Sequence, residues 1–296
     1  MPIKRAAPRR PPWPPRGPVW RASSPERGHV IVQEYLAPKA RGEILTWLQG
    51  LRPIWEFRFA TDRPPPRGEG QRRLLRPVYW LGNWQFACLD YYRPPKGVLE
   101  RCVAAEPFPR VLADIVRDVE ARAKKAFPPE HVPRGWHLNT CLVNFYGDRL
   151  ENGRWVDSAR VGEHRDFEPG PVASLSLGER ALFQFVPRRR PGERAEPLLT
   201  QWLDDGSLQL FAGPLYKDRV LHRIQRVDQR AGVRLPPFLD DFRTRRVNFT
   251  FRYVPDEHVR PFAELSPRAQ ADVRPYVSEL ASGSPFFARA LAAAKP

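Results

Sequence analysis

The run "RRVNFTFRYV", residues 245–254, alternates polar and apolar side chains so regularly that it constrains the rest of the chain. In an extended strand successive side chains point to opposite faces. Arg246, Asn248, Thr250 and Arg252 therefore share one face, and Val247, Phe249, Phe251 and Tyr253 share the other. Two readings fit. Either this is an ordinary two-faced strand with its polar side in water, or it belongs to a barrel whose polar face lines a cavity that holds an anion. Further short alternating runs fill residues 136–254 and read as an antiparallel sandwich or barrel. In "HLNTCLVNFYG", residues 137–147, Leu142, Asn144 and Tyr146 take one face and Cys141, Val143 and Phe145 the other.

The flanking sequence is less regular. Residues 1–28 are rich in Arg and Pro, show no core-forming pattern, and read as a disordered basic arm. Residues 29–135 are mixed, with helices expected in "APKARGEILTWLQGL" (37–51) and "FPRVLADIVRDVEARAKKAF" (108–127), where apolar residues recur at helical spacing. Between them lies a basic and aromatic stretch that includes "RPVYWLGNWQF", residues 76–86. The strand-rich core is assigned to 136–260. In 261–296, a helical extension, Ser266-Pro267 and Ser284-Pro285 match the cap and first-turn positions of two helices.

A hydrophobic content of 42%, with nine Trp and seventeen Phe, is enough to fill a core. Cys88, Cys102 and Cys141 are odd in number and scattered, which excludes a disulfide framework or a paired-cysteine zinc site and points to a reducing compartment. The start has no apolar signal region, so a cytoplasmic protein is expected, or a nuclear one in a eukaryote, and not a secreted one. No run of about 18 apolar residues is present to span a membrane, and a monomer is expected. The net charge of +16, from 49 Lys and Arg against 33 Asp and Glu, favours polyanionic partners through counterion release, nucleic acid first among them. A biased base composition of the gene would leave the same excess.

"VGEHRDFEPG", residues 161–170, sets His164, Asp166 and Glu168 on alternate positions. A strand through it gathers a nitrogen and two carboxylates on one surface, as a solvated hairpin or as part of a metal site. Arg246 and Arg252 each suit a carboxylate through paired hydrogen bonds, although six residues of strand separate them by roughly 20 Å. A lone His-x-Asp carries little information. Read in order, Asn144-x-Tyr146, His164-x-Asp166, "LFAGPLYKDRVLHRI" with His222, and Arg246-x-Asn248-x-Thr250-x-Arg252 make a far more specific set. That set resembles the AlkB family of iron- and 2-oxoglutarate-dependent dioxygenases over residues 136–254.

The resemblance implies that His164, Asp166 and His222 bind Fe(II), a facial triad that leaves positions open for cosubstrate and O2. It implies that Arg246 pairs with the distal carboxylate of 2-oxoglutarate and Arg252 with the carboxylate beside the keto group, with Asn144, Tyr146 and Asn248 completing the pocket by hydrogen bonding. Glu168 matches a position where AlkB-like repair enzymes carry an acidic group facing the damaged base. Tyr79, Trp80 and Trp84 fall where the family has its nucleotide-recognition lid and are candidates to stack on a flipped base, or to fill a core. Arg72, Arg73 and Arg76 nearby meet phosphates or solvent. The implied fold is mainly β with flanking helices, a double-stranded β-helix or jelly roll with an N-terminal α/β lid. The implied activity is oxidative demethylation of N-alkylated bases in DNA or RNA with release of formaldehyde. An oxygenase acting on protein or a small molecule, and a non-catalytic basic nucleic-acid-binding module, are the alternatives.

Overall fold

A computed structural model of the chain describes residues 24–58, 70–86, 89, 101–188, 193, 196–230 and 232–294. In chain order, β1 (His29–Val32) leads into helix α1 (Pro38–Gln49). The short β2 (Phe57–Arg58) and β3 (Arg72–Arg73), then β4 (Val78–Leu81), β5 (Asn83–Gln85) and β6 (Cys102–Ala104), precede helix α2 (Arg110–Ala126). The strand-rich part follows as β7 (Thr140–Glu151), β8 (Arg154–Asp157), β9 (Val161–His164), β10 (Val172–Gly178), β11 (Ala181–Pro187), β12 (Leu199–Leu203), β13 (Leu208–Phe211), β14 (Val220–Val227) and β15 (Phe242–Arg252). Strand β16 (Val259–Arg260) and helices α3 (Pro267–Ala281) and α4 (Pro285–Ala293) close the described chain.

A larger sheet runs β1-β13-β10-β15-β7-β4, with β8 on β7, and a smaller one runs β12-β11-β14-β9. From β9 onward the chain passes back and forth between the two sheets, which is the winding of a jelly roll. The fold is thus mainly β with a few helices. Its outer apolar layer is supplied by Val247, Phe249 and Phe251, all fully buried. Trp47 of α1 packs on Phe249 at 6.4 Å between ring centroids, and Phe108 ahead of α2 packs edge-on to Phe251 at 6.0 Å. The polar face of β15 is buried too, because it turns inward between the sheets: Arg246, Asn248 and Arg252 are all enclosed. Of the two readings of this strand, the barrel with a polar-lined cavity is the one realised.

Both expected N-terminal helices form. In α2, Leu112, Ile115, Val116, Val119 and Ala123 make one buried stripe at helical spacing. Burying each large aliphatic side chain contributes about 1.5–3 kcal/mol, so packing holds this helix, and Pro128 and Pro129 prevent its continuation. At α3, Ser266 accepts a hydrogen bond from the Ala269 amide at 3.3 Å, as its position predicts. Ser284 precedes α4 but makes no side-chain cap; its hydroxyl donates instead to Glu106 Oε2 at 2.9 Å.

The last residues of the expected arm are part of the fold. Residues 1–23 lie outside the described residues, as does Cys88, but residues 24–28 are tied to the sheet. Ser24 and His29 exchange backbone hydrogen bonds of 2.7 and 3.1 Å. Gly28, at φ +92°, lies so close to Ala212 that a Cβ would stand 2.2 Å from the Ala212 carbonyl oxygen, so only glycine fits there. Among the described residues no helix is long and apolar enough to cross a membrane.

Candidate active site

The pairing of β9 with β14 sets His164 opposite His222, with ring centroids 4.2 Å apart. Strand β9 stops at His164, so the alternation expected through Asp166 and Glu168 does not bring those residues in. A turn of chain beyond the strand does so, placing Asp166 Oδ2 3.5 Å from His222 Nε2. His164 Nδ1 donates to the Gly162 carbonyl at 2.8 Å, which leaves Nε2 with its lone pair for a metal. Asp166 Oδ1 accepts from Arg252 Nε at 2.7 Å, while Oδ2 is buried with no hydrogen-bond partner. An unsatisfied buried acceptor costs about 1–3 kcal/mol, a cost that a cation between Asp166 and the two rings removes. Two imidazoles and one carboxylate are the donor set of a facial Fe(II) site, so the residues fit the ion. Among the described residues no group of three or more His, Cys, Asp and Glu side chains closes into a ready-made site.

The protonation states are those that ligands need. Burial pushes His222 down to about 3, and the neighbouring His164 adds to the effect. Burial likewise lowers His164. Asp166 is held below the usual carboxylate range: burial opposes ionisation, but the Arg252 guanidinium and then His222 outweigh it. Both rings are therefore neutral and the carboxylate charged near neutral pH.

Across a cavity of about 330 Å³ from this cluster stands Arg246. It is 1% exposed; its Nη2 donates to Ser176 Oγ at 2.9 Å, and its Nε and Nη1 are buried without partners. Burial lowers its pKa. A buried guanidinium with two unused donors is a receptor for a carboxylate. The β7–β15 register sets Tyr146 opposite Arg246 and Asn144 opposite Asn248. Asn144 uses Oδ1 to accept from Arg76 Nε at 2.7 Å, which leaves its Nδ2 to donate. Asn248 departs from expectation. Its Nδ2 is spent on Ser174 Oγ at 2.8 Å and the Leu175 carbonyl at 3.1 Å, and its Oδ1 accepts from Thr250 at 2.9 Å. What remains on Asn248 is an acceptor, which a carboxylate does not satisfy, so it shapes the wall.

Glu168 is 7% exposed, not a solvated hairpin carboxylate; its Oε2 lies 3.6 Å from Arg252 Nε at the cavity edge. Of the three expected aromatics only Trp80 lines the cavity. On β4, Trp80 pairs with Leu142 and shares the face of Asn144, whereas Tyr79 pairs with Val143 on the opposite face. Tyr79 is buried, donates to Glu106 and packs edge-on to Phe287 at 6.4 Å. Trp84 is wholly buried on β5 and donates to Glu56 Oε1 at 2.8 Å, against Tyr276. Neither is placed to stack on a base. Arg72 is exposed on β3, and Arg73 pairs with Asp241 at 3.1 Å. Arg76 instead faces the cavity.

Three cavity or near-cavity residues escaped the sequence reading of the site. Phe167, 39% exposed between Asp166 and Glu168, stands at the mouth with Arg165 over its ring at 4.9 Å; its place between two acids is a signal that was available. Glu56 is wholly buried and accepts from both Trp80 and Trp84. Lys217 is buried with an unpartnered Nζ, and burial lowers its pKa while Asp166 and Glu168 oppose the shift. Neither has a signature in sequence.

A family model described as "2OG-Fe(II) oxygenase superfamily" matches residues 28–252. Among solved structures, the chain is similar to OsALKBH1 at 21% identity and a TM-score of 0.49, covering 77% of this chain and 99% of that one. It is similar to the Escherichia coli ribosomal oxygenase YcfD in complex with cobalt and 2-oxoglutarate at 12% identity and a TM-score of 0.32, covering 88% of this chain and 65% of that one. A BsmA homologue from Methylobium petroleophilum is similar at 11% identity and a TM-score of 0.32, covering 76% and 88%. Comparison with curated proteins gives no match.

Proposed function

The chain belongs to the 2OG-Fe(II) oxygenase superfamily, with Fe(II) as cofactor and 2-oxoglutarate and O2 as cosubstrates, and from that premise we propose that it is an AlkB-like oxidative demethylase of N-alkylated bases in DNA or RNA. The observation that carries this reading is Glu168, a buried carboxylate two residues beyond Asp166 and at the edge of the same cavity. A carboxylate accepts a hydrogen bond from an exocyclic amino group of adenine or cytosine, and it offsets the positive charge of a base methylated on a ring nitrogen. Phe167, partly exposed at the cavity mouth, offers an aromatic face to an unstacked base. The region of residues 29–135, ahead of the strand-rich core, serves as the nucleotide-recognition lid. The net charge of +16 suits the phosphate backbone.

The protein's own groups hold and orient. His164, Asp166 and His222 hold the metal, Arg246, Tyr146 and Asn144 hold the distal carboxylate of 2-oxoglutarate, and Arg252 meets the carboxylate beside the keto group. When bound, Fe(II) would supply, with 2-oxoglutarate and O2, the oxidising chemistry for hydroxylating the N-methyl group, one oxygen atom of O2 going to the methyl group and the other to the succinate formed with carbon dioxide, and the hydroxymethyl adduct would then lose formaldehyde. The buried free cysteines Cys102 and Cys141 suit a reducing cytoplasm or nucleus.

The test is a panel of methylated DNA and RNA oligonucleotides incubated with Fe(II), ascorbate and 2-oxoglutarate. The expected product is lighter by about 14 mass units, one methylene, with matching formaldehyde. Succinate formation with every oligonucleotide left intact sinks the nucleic-acid reading and leaves an oxygenase of protein or a small molecule.

A further inference from the structure

We infer that Arg76 is a third arginine of the cosubstrate pocket, joining Arg246 on the distal carboxylate of 2-oxoglutarate and fixing the amide of Asn144 for it. The inference rests on the cosubstrate and not on the proposed nucleic-acid substrate.

The first ground is charge. Arg252 is matched by Asp166 and Glu168, Arg58 by Glu56, and Arg223 by Glu163. Arg76 and Arg246 both face the cavity, and among the described residues neither has a carboxylate within ion-pair distance. Their guanidinium carbons lie over one and the same ring, that of Tyr146, at 5.0 and 4.9 Å. Two like charges brought to one ring repel each other, and the arrangement becomes favourable when an anion lies within reach of both. A dicarboxylate cosubstrate supplies one.

The second ground is the hydrogen bond from Arg76 Nε to Asn144 Oδ1 at 2.7 Å. It occupies the acceptor end of the Asn144 amide, in the cavity wall, and leaves the donor end, the one of use to a carboxylate, for the cosubstrate. Arg76 precedes β4, whose Val78 pairs with Asn144, so the same backbone pairing that seats β4 on β7 brings Arg76 to the pocket. A phosphate at the cavity mouth is the other anion that an arginine here could serve, but the partners of Arg76, Asn144 and Tyr146, belong to the inner wall on β7.

Because Arg76 arrives from outside the strand-rich core, cosubstrate binding fastens the segment ahead of β4 to β7 and β15. Slower hydrogen exchange in that segment then accompanies binding of 2-oxoglutarate, before any substrate is present.

The experiment measures binding by calorimetry, with Mn(II) in place of iron and no turnover, using full-length wild type, Arg76→Gln and Arg76→Ala. Glutamine retains a donor for Asn144 and removes the charge. Both variants are expected to bind 2-oxoglutarate about tenfold more weakly and to bind 2-oxobutanoate, which lacks the distal carboxylate, as wild type does. Hydrogen exchange at residues 70–77 should slow on adding 2-oxoglutarate to wild type and not to Arg76→Ala. Unchanged 2-oxoglutarate affinity in Arg76→Gln, or an equal loss for both ligands, overturns the assignment. An active demethylase with unchanged 2-oxoglutarate affinity in both variants overturns it as well, while leaving the proposed function standing.

Discussion

Arg252 grips Asp166 by a single oxygen: Nε at 2.7 Å and Nη2 at 2.6 Å both reach Oδ1, and Oδ2 is left buried beside His222. One residue thus divides the carboxylate into an end for the protein and an end for the metal. Removing one partner of a buried pair strands the other's charge, at a cost of about 3–5 kcal/mol. Arg252→Ala is therefore expected to lower the stability of the metal-free protein by about that much, and Arg252→Lys to recover only part, for want of the fork. Urea unfolding checks this, and a midpoint equal to wild type in Arg252→Ala would show the pair to be decorative.

Arg246 has the opposite character, a buried cation that the protein leaves underused. Arg246→Ala removes a group whose Nε and Nη1 have no protein partner, so its effect should fall on the cosubstrate. A loss of about ten- to a hundredfold in 2-oxoglutarate affinity is expected, with Arg246→Lys still well below wild type. Titration of 2-oxoglutarate in the presence of Mn(II) reads it directly.

How much of this was legible in the sequence depends on whether a strand's own period or its partners decided the outcome. The faces of β7 and β15 follow from alternation alone, and Asn144, Tyr146, Arg246 and Arg252 are where that alternation places them. The helices α1 and α2 follow from apolar spacing. Glu168 does not follow, because β9 ends at His164 and the chain then turns. "VYWL" on β4 is apolar throughout, so no alternation marks Trp80 as the inward side chain; only the pairing with Leu142 does. Asn248 sits on the correct face, but its amide is consumed by Ser174 and Leu175 on a strand far away in sequence. Arg76 is one arginine in a basic stretch, separated from Arg73 in role only by where β4 docks.

His29 supplies a pH dependence that no ligand disturbs. It is wholly buried on β1, its Nε2 lies 3.0 Å from Gln209 Nε2, and burial lowers its pKa from 6.5 to about 4. Below pH 6.5 the unfolded chain takes up a proton that the native protein refuses until about pH 4, so stability falls as the solution is acidified through that window. The total is about 3 kcal/mol, since each pH unit of difference is worth roughly 1.4 kcal/mol. His29→Gln is expected to flatten the dependence between pH 6.5 and 4 by that amount while leaving the behaviour above pH 7 alone. Denaturant midpoints for the two proteins across this range provide the comparison, and parallel curves mean that His29 titrates in the native state as it does in a peptide.

Glu168 is claimed by two roles that a single substitution separates. Its Oε2 is buried without a hydrogen bond, 3.6 Å from Arg252 Nε, and its charge bears on buried Lys217. If its work is to balance Arg252 and Lys217, then Glu168→Gln disturbs the cosubstrate end and slows every reaction alike. If its work is to accept a hydrogen bond from the exocyclic amino group of a methylated adenine or cytosine, the loss depends on the base. Arg252 already has a closer carboxylate in Asp166, at 2.6 Å from Nη2, so the balancing role is the weaker one. Glu168→Gln should then retain Mn(II) and 2-oxoglutarate affinity within about twofold, and should lose about tenfold in demethylation of N-methylated adenine and cytosine, the worth of a hydrogen bond to a charged group. Methylated thymine, which has no exocyclic amino group, should lose little. Matched oligonucleotides carrying each base, assayed by mass spectrometry at equal enzyme, give the ratio. An equal loss on all of them, accompanied by weaker 2-oxoglutarate binding, assigns Glu168 to Arg252 and removes it from base choice.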